Sequence, residues 1–179
     1  VGILGFVPPQ ILDWDAKVLS GKVFVNGVVE SANKYVPELR SKGANLVVAL
    51  SHGGLDASPY SPKMENGSLH LTKVPGVDVL VTGHSHLIFP AAREKGAPAI
   101  DKSLSSLPSP DVDSTKGLVN GVPTVMAQSW GRRLGIIKVT LAYKSGAWVV
   151  QKDKAQVEAR GFKYTDGTTT VDADPSIAA

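Results

Sequence analysis

Two histidines one residue apart, in Gly83-His84-Ser85-His86, follow the apolar run Val77-Asp78-Val79-Leu80-Val81-Thr82. A third, His52, stands in Ser51-His52-Gly53-Gly54, directly after the apolar run Asn45 to Leu50. Three of the four histidines in the chain thus fall in Gly-containing turns after strand-like segments. Imidazoles placed where a rigid element stops are fixed yet reachable, which suits the binding of a metal ion or a phosphate group. A turn splays residues i and i+2, so His84 and His86 could address two ions about 3.5–4 Å apart, the spacing of two-metal hydrolases, with one histidine on each ion. His70, flanked by Leu69 and Leu71 with no turn glycine at its sides, reads as structural or exposed. The chain has no cysteine, so thiolate sites and disulfides are excluded, and His, Asp, Asn and Glu remain as ligands. A dinuclear centre also needs an anionic bridging ligand. Neither Asp56, in a Ser/Pro-rich segment, nor Asp78, at the start of its strand, fits that role. Each reads as a cap or a solvated carboxylate.

The elements that must carry these residues follow from hydrophobic patterning. Val1 to Phe6 reads as a buried strand stopped by Pro8-Pro9. Lys22 to Val29 is a shorter apolar run. Between Glu30 and Ser41 the residues Ala32, Tyr35, Val36 and Leu39 lie on one helical face that Gly43 ends, and Pro37 inside it should kink it. Asn45 to Leu50 is a strand, residues 58–73 form a helix or loop, and Val77 to Thr82 is a strand. This order predicts a layered α/β fold with its site at the strand ends. Leu87 to Asn120 reads as a long loop at the rim of the site. Val122 to Met126, Leu134 to Tyr143 and Trp148 to Val157 read as antiparallel strands, the last two joined by a hairpin turn at Ser145-Gly146. Asp174-Pro175 reads as the start of a helix.

At 179 residues, 42% of them apolar and 20% charged, the chain is that of one globular domain with a real core rather than a disordered segment. The formal charge of +3 permits anionic ligands, but no basic stripe interleaved with aromatics suggests a nucleic-acid polymer as partner. Arg132-Arg133 and Lys152-Asp153-Lys154 read as solvated surface. No run reaches the 18 or so apolar residues of a membrane span. The chain opens at Val1 inside an apolar run and reads as a piece of something longer.

The two histidine motifs resemble the last two metal motifs of the calcineurin-like metallophosphoesterases. Gly5-Phe6-Val7-Pro8-Pro9-Gln10-Ile11 with Trp14-Asp15, Tyr35-Val36-Pro37-Glu38-Leu39, Asn120-Gly121-Val122-Pro123, Ser129-Trp130-Gly131-Arg132 and Leu134-Gly135 narrow the resemblance. Together they are similar to the bacterial 2′,3′-cyclic-nucleotide 2′-phosphodiesterase/3′-nucleotidase branch of the 5′-nucleotidase group. The resemblance runs from Val1 to about Arg160. It implies the C-terminal half of an α/β sandwich of mixed sheets flanked by helices. It also implies hydrolysis of 2′,3′-cyclic nucleotides and 3′-nucleotides by water activated on two divalent ions, of Mn, Zn, Co or Fe. His52 and His84 would ligate one ion and His86 the other.

The family's Asp-x-His, Gly-Asp and Gly-Asn-His-Asp/Glu motifs occur nowhere in this chain. Residues 1–162 are therefore expected to be the second half of a catalytic domain, and 163–179 a linker and the start of a connector helix. The missing partners are the first half of that domain and a C-terminal nucleotide-binding domain. The resemblance further implies a periplasmic location. Without the bridging carboxylate the metals would be weakly held, so these residues are expected to be inactive alone, and if they fold alone the apolar surface where strands are missing is expected to drive self-association. The alternatives are a non-catalytic metal- or phosphate-binding remnant, or a 5′-nucleotidase or nucleotide-sugar hydrolase of the same superfamily.

Overall fold

The computed structural model describes residues 1–90, 111–162, 171–172 and 174–177. Four parallel strands form the frame. β1 (Gly2–Phe6) pairs with β2 (Val47–Ser51), β2 with β3 (Val79–Thr82), and β3 with a later strand at Val122–Ala127. Between β1 and β2 run two single-turn helices, α1 (Ile11–Trp14) and α2 (Ala16–Leu19), and the longer α3 (Val28–Ser41). The short α4 (Ser68–Leu71) precedes β3. After it come β4 (Ile88–Phe89), β5 (Val112–Asp113), β6 (Leu118–Val119) and then β7, the strand at Val122–Ala127. β4 and β6 lie antiparallel to β7, and β5 antiparallel to β6, so the sheet is mixed. A two-stranded sheet of β8 (Arg133–Lys144) and β9 (Ala147–Gly161) completes the described fold.

The packing explains the pattern. α3 turns Val28, Ala32 and Val36 onto one face of the sheet, where they meet Val47, Leu69, Leu71, Val77 and Leu80 in the main core. The opposite face carries Ile88 and Val125, which pack against Val157, Ala159 and Ile137 of the hairpin. With both faces covered, the central strands are apolar runs rather than alternating ones, as parallel strands require. Farther along that second face Ile3 and Leu50 remain exposed, in line with the apolar surface expected from the sequence.

Several expectations need correction. The helix begins at Val28, two residues before the expected start, and runs through Pro37 as one element. The apolar run from Lys22 holds no regular structure before Gly27. β7 is not a member of an antiparallel set with the hairpin strands; it is the fourth parallel strand of the frame. The expected rim loop from Leu87 to Asn120 contains β4, β5 and β6, while its residues 91–110 lie outside the described residues. The Ser145-Gly146 turn is as expected, both residues having positive φ (49° and 85°), the geometry that matches hairpin twist. Asp174 Oδ1 accepts hydrogen bonds from Ser176 N (2.8 Å) and Ser176 Oγ (2.7 Å), the side-chain geometry of a cap. The rest of the proposed linker, residues 163–170, 173, 178 and 179, lies outside the described residues.

Asp78, read as a cap or a solvated carboxylate, and Lys152, read as solvated surface, are both built into the frame. Asp78 is 7% exposed and its Oδ2 accepts from Val47 N (2.8 Å) and from the Arg40 guanidinium. Lys152 reaches from the hairpin to donate to the Val77 carbonyl (2.9 Å), and its burial pushes its pKa below the usual lysine value against the pull of Asp78. The apolar strand start is where these charges meet, so they sit among one another rather than in water.

Candidate metal centre

The turns after β2 and β3 are tied together through one carbonyl. Gly53 O accepts from Gly83 N (3.3 Å), from Ser68 Oγ (2.9 Å) and from Thr82 Oγ1. His52 N in turn donates to Phe6 O at the end of β1 (2.9 Å). Three adjacent parallel strands therefore end in a single hydrogen-bonded knot, and the histidine turns inherit its rigidity. Gly54 is needed beside it: a Cβ there would stand 2.6 Å from Asn66 Oδ1, which accepts the Gly54 N–H (2.8 Å), and 2.9 Å from Ser85 Oγ.

His84 and His86 both have left-handed backbones, with φ of 63° and 59°. Each such residue costs roughly 1–2 kcal/mol for a side chain larger than Gly, so the surrounding knot must hold the turn in place. The turn splays the two rings, as the i, i+2 spacing suggested. His84, half-buried, points to exposed His52, with His84 Nδ1 and His52 Nε2 3.2 Å apart. His86 turns away towards Trp130, with ring centroids 6.3 Å apart. Trp130 is 81% exposed and carries the Arg132 guanidinium 5.0 Å from its ring centre, so Arg132 is on the surface but occupied.

The donor set fits a divalent ion at His52 and His84. Two nitrogens each about 2.0–2.1 Å from one ion stand about 2.9–3.4 Å apart over the range from octahedral to tetrahedral angles, and 3.2 Å falls inside it. The far nitrogen of His84, Nε2, lies 2.6 Å from Glu65 Oε1, so the ring has one nitrogen engaged by a carboxylate and the other presented to His52. Among the described residues, however, no group of three or more His, Cys, Asp or Glu side chains is gathered closely enough to hold an ion. An ion held at His52 and His84 would need further ligands besides these two nitrogens.

The remaining candidates divide cleanly. Asp56 accepts from Ser58 N (2.8 Å), a local turn, and Asp78 belongs to the frame at the opposite end of its strand, so neither joins the histidines. His70 is structural: it is buried, its Nε2 lies 3.1 Å from Ser58 O, and its ring meets Tyr60 at 5.2 Å. Sequence reasoning missed Glu65 and the role of Trp14, whose ring stacks on His84 at 5.0 Å and 28°. The only signal for Glu65 was its place in a polar turn, Glu65-Asn66-Gly67. Trp14 was noticed only as part of a motif.

No family model matches the chain. A 2′,3′-cyclic-nucleotide 2′-phosphodiesterase/3′-nucleotidase of Salmonella typhimurium is 44% identical to it over 156 residues, covering 87% of this chain and 22% of the relative. The trifunctional nucleotide phosphoesterase protein YfkN of Bacillus subtilis is 38% identical over 172 residues, covering 96% of this chain and 11% of the relative. The chain thus spans about a fifth or less of the length of these curated relatives. Among solved structures, the calcineurin-like phosphoesterase YfkN from Bacillus subtilis superposes with a TM-score of 0.75 at 36% identity, covering 89% of this chain and 44% of that one. The sulfate thiohydrolase SoxB of Thermus thermophilus shares the fold at a TM-score of 0.55 and 17% identity, covering 89% of this chain and 22% of that one. The resemblance drawn from the motifs is borne out, and the mixed α/β architecture is that of a calcineurin-like phosphoesterase.

Proposed function

We propose that this chain supplies part of the active site of a two-metal phosphoesterase hydrolysing 2′,3′-cyclic nucleotides and 3′-nucleotides, with His52 and His84 on one divalent ion and His86 on the other. The observation that carries the reading is the pair of imidazole nitrogens facing each other at 3.2 Å on turns locked to the ends of adjacent strands. The substrate class rests on the relatives, whose names state that activity. Bound divalent ions lower the pKa of water towards neutrality and neutralise phosphoryl oxygens as charge builds on them. The residues of this chain hold and aim. The Gly53 carbonyl fixes the spacing of the two turns, and the left-handed His84 and His86 backbones send one ring to each side of the β3 end.

The described residues bring no carboxylate between His52 and His84, so we take these 179 residues to be inactive by themselves and active only with the remaining ligands. The family resemblance is the ground for assigning the protein to the periplasm. No helix among the described residues is long and apolar enough to cross a membrane. Hydrolysis of a 2′,3′-cyclic nucleotide and of a 3′-nucleotide, assayed with added Mn²⁺, Co²⁺ or Zn²⁺, tests the function. Turnover by the full-length protein is expected to be lost in His84→Ala and His86→Ala. Activity surviving both would refute the ligand assignment, and robust turnover by the isolated residues would refute their incompleteness.

A further inference from the structure

The His84 ring is held on three sides. Its Nδ1 faces His52, its Nε2 meets Glu65 Oε1 at 2.6 Å, and the Trp14 indole covers its face. The two supports outside His52 are themselves linked. Gln10, at the start of α1, donates from its side-chain amide to the Lys63 carbonyl (2.7 Å), two residues before Glu65. Asn66, the next residue, accepts from Gly54 N and donates no freedom to the loop, since its own carbonyl also takes the Asp56 N–H (3.2 Å). The Glu65 backbone is therefore anchored to the histidine turns even though its side chain is partly exposed.

Resting on the proposed metal site, we infer that Glu65 is a positioning residue that fixes the His84 tautomer. An ionised carboxylate only accepts, so the 2.6 Å contact places the proton of a neutral His84 on Nε2. That leaves the Nδ1 lone pair directed to the His52 side, the side on which an ion shared with His52 Nε2 would lie. Glu65 sits on the far edge of the ring and so does not compete for that place. A carboxylate that takes the other N–H of a ligating histidine orients the ring and raises its basicity, and removing such a group typically weakens metal affinity about 10–100-fold. Trp14 adds the face-on support that stops the ring rotating out of this plane.

The test measures Mn²⁺ and Co²⁺ affinity of the full-length protein by titration calorimetry, together with the visible absorption of the Co²⁺ form. Glu65→Ala is expected to weaken the ion at His52 and His84 about 10–100-fold and to shift the Co²⁺ bands, with an unchanged thermal midpoint. Glu65→Gln, which keeps an acceptor oxygen but not the charge, is expected to lose less affinity, about threefold to tenfold on the same scale. Either variant binding as tightly as the wild type overturns the inference. His84→Ala and His52→Ala run in parallel separate the two failures. If they abolish binding while Glu65→Ala does not, the metal site stands and the role of Glu65 falls. If they too leave affinity unchanged, the metal site itself is wrong and the inference falls with it.

Discussion

Replacing Asp78 by Ala should cost about 2–4 kcal/mol of folding stability, and the structure says where each part comes from. The Asp78 carboxylate accepts the Val47 N–H, a donor at a residue with no exposed surface. Orphaning that group costs about 1–3 kcal/mol, because water cannot reach it. The second part is the loss of a charge partner for Arg40. This part is smaller, about 1 kcal/mol, since the Arg40 side chain is 32% exposed and keeps its bonds to the Ala44 carbonyl (3.0 Å) and the Gly76 carbonyl (2.9 Å). Asp78→Asn retains an acceptor for Val47 and loses only the charge, so it should cost about 1 kcal/mol. The damage also reaches the site. Asp78 pins the start of β3 to the start of β2, and the same register, from Val48 opposite Val79 to Ser51 opposite Thr82, delivers His52 and His84 to one another. Equilibrium urea unfolding checks the magnitudes, with an unchanged m-value expected for both variants. An Asp78→Ala variant within about 0.5 kcal/mol of wild type would refute the reasoning, and Asn as costly as Ala would shift the weight from the orphaned N–H to the ion pair.

Two further predictions concern the turns and the buried imidazole. Gly54→Ala should destabilise by about 1–3 kcal/mol, because its Cβ would meet Asn66 Oδ1 at 2.6 Å, whereas Gly83→Ala, with nothing within 4 Å of its Cβ, should stay within about 0.5 kcal/mol by the same unfolding assay. Similar losses for both would contradict the packing account. Burial pushes the His70 pKa below the ordinary histidine value, although its contact with the Ser58 carbonyl and the charge of Asp56 pull upward. The fold thus favours neutral His70 and the unfolded chain takes up the proton first. Its contribution is complete above about pH 6.5 and is lost as pH falls below that value towards the lowered folded pKa. His70→Gln should accordingly lose less stability than wild type between pH 7.5 and pH 5, and an equal loss would remove His70 as the cause.

The parallel strands and their histidine turns were legible because a short apolar run ending in Gly and His is a local signal. The direction of β7 was not. A run such as Val122 to Ala127 has the same pattern in either orientation, and its partner β3 lies some forty residues away in the chain. The burial of Asp78 and Lys152 was hidden for the same reason: taken alone, Asp78 reads as a cap or a solvated carboxylate and Lys152 as solvated surface, and only the fold brings them together with Arg40 from a strand start, a hairpin and a helix. His70 was correctly set apart by its lack of a turn. Glu65 escaped notice because a carboxylate in a polar loop has no periodicity to mark it, and its value appears only when the His84 ring is seen to have two engaged nitrogens. The splay of His84 and His86 was foreseeable from their spacing in a turn, but the left-handed backbone that produces it was not.

The central claim is that His52 and His84 share one ion while His86 serves another. Anomalous diffraction from Mn²⁺-loaded crystals of the full-length protein tests it most directly. The account predicts one peak bonded to both His52 Nε2 and His84 Nδ1, with Glu65 on the opposite edge of the His84 ring, and a second peak at His86. Density showing His52 and His84 hydrogen-bonded to each other with no ion between them, under conditions where the protein hydrolyses its substrate, would contradict it.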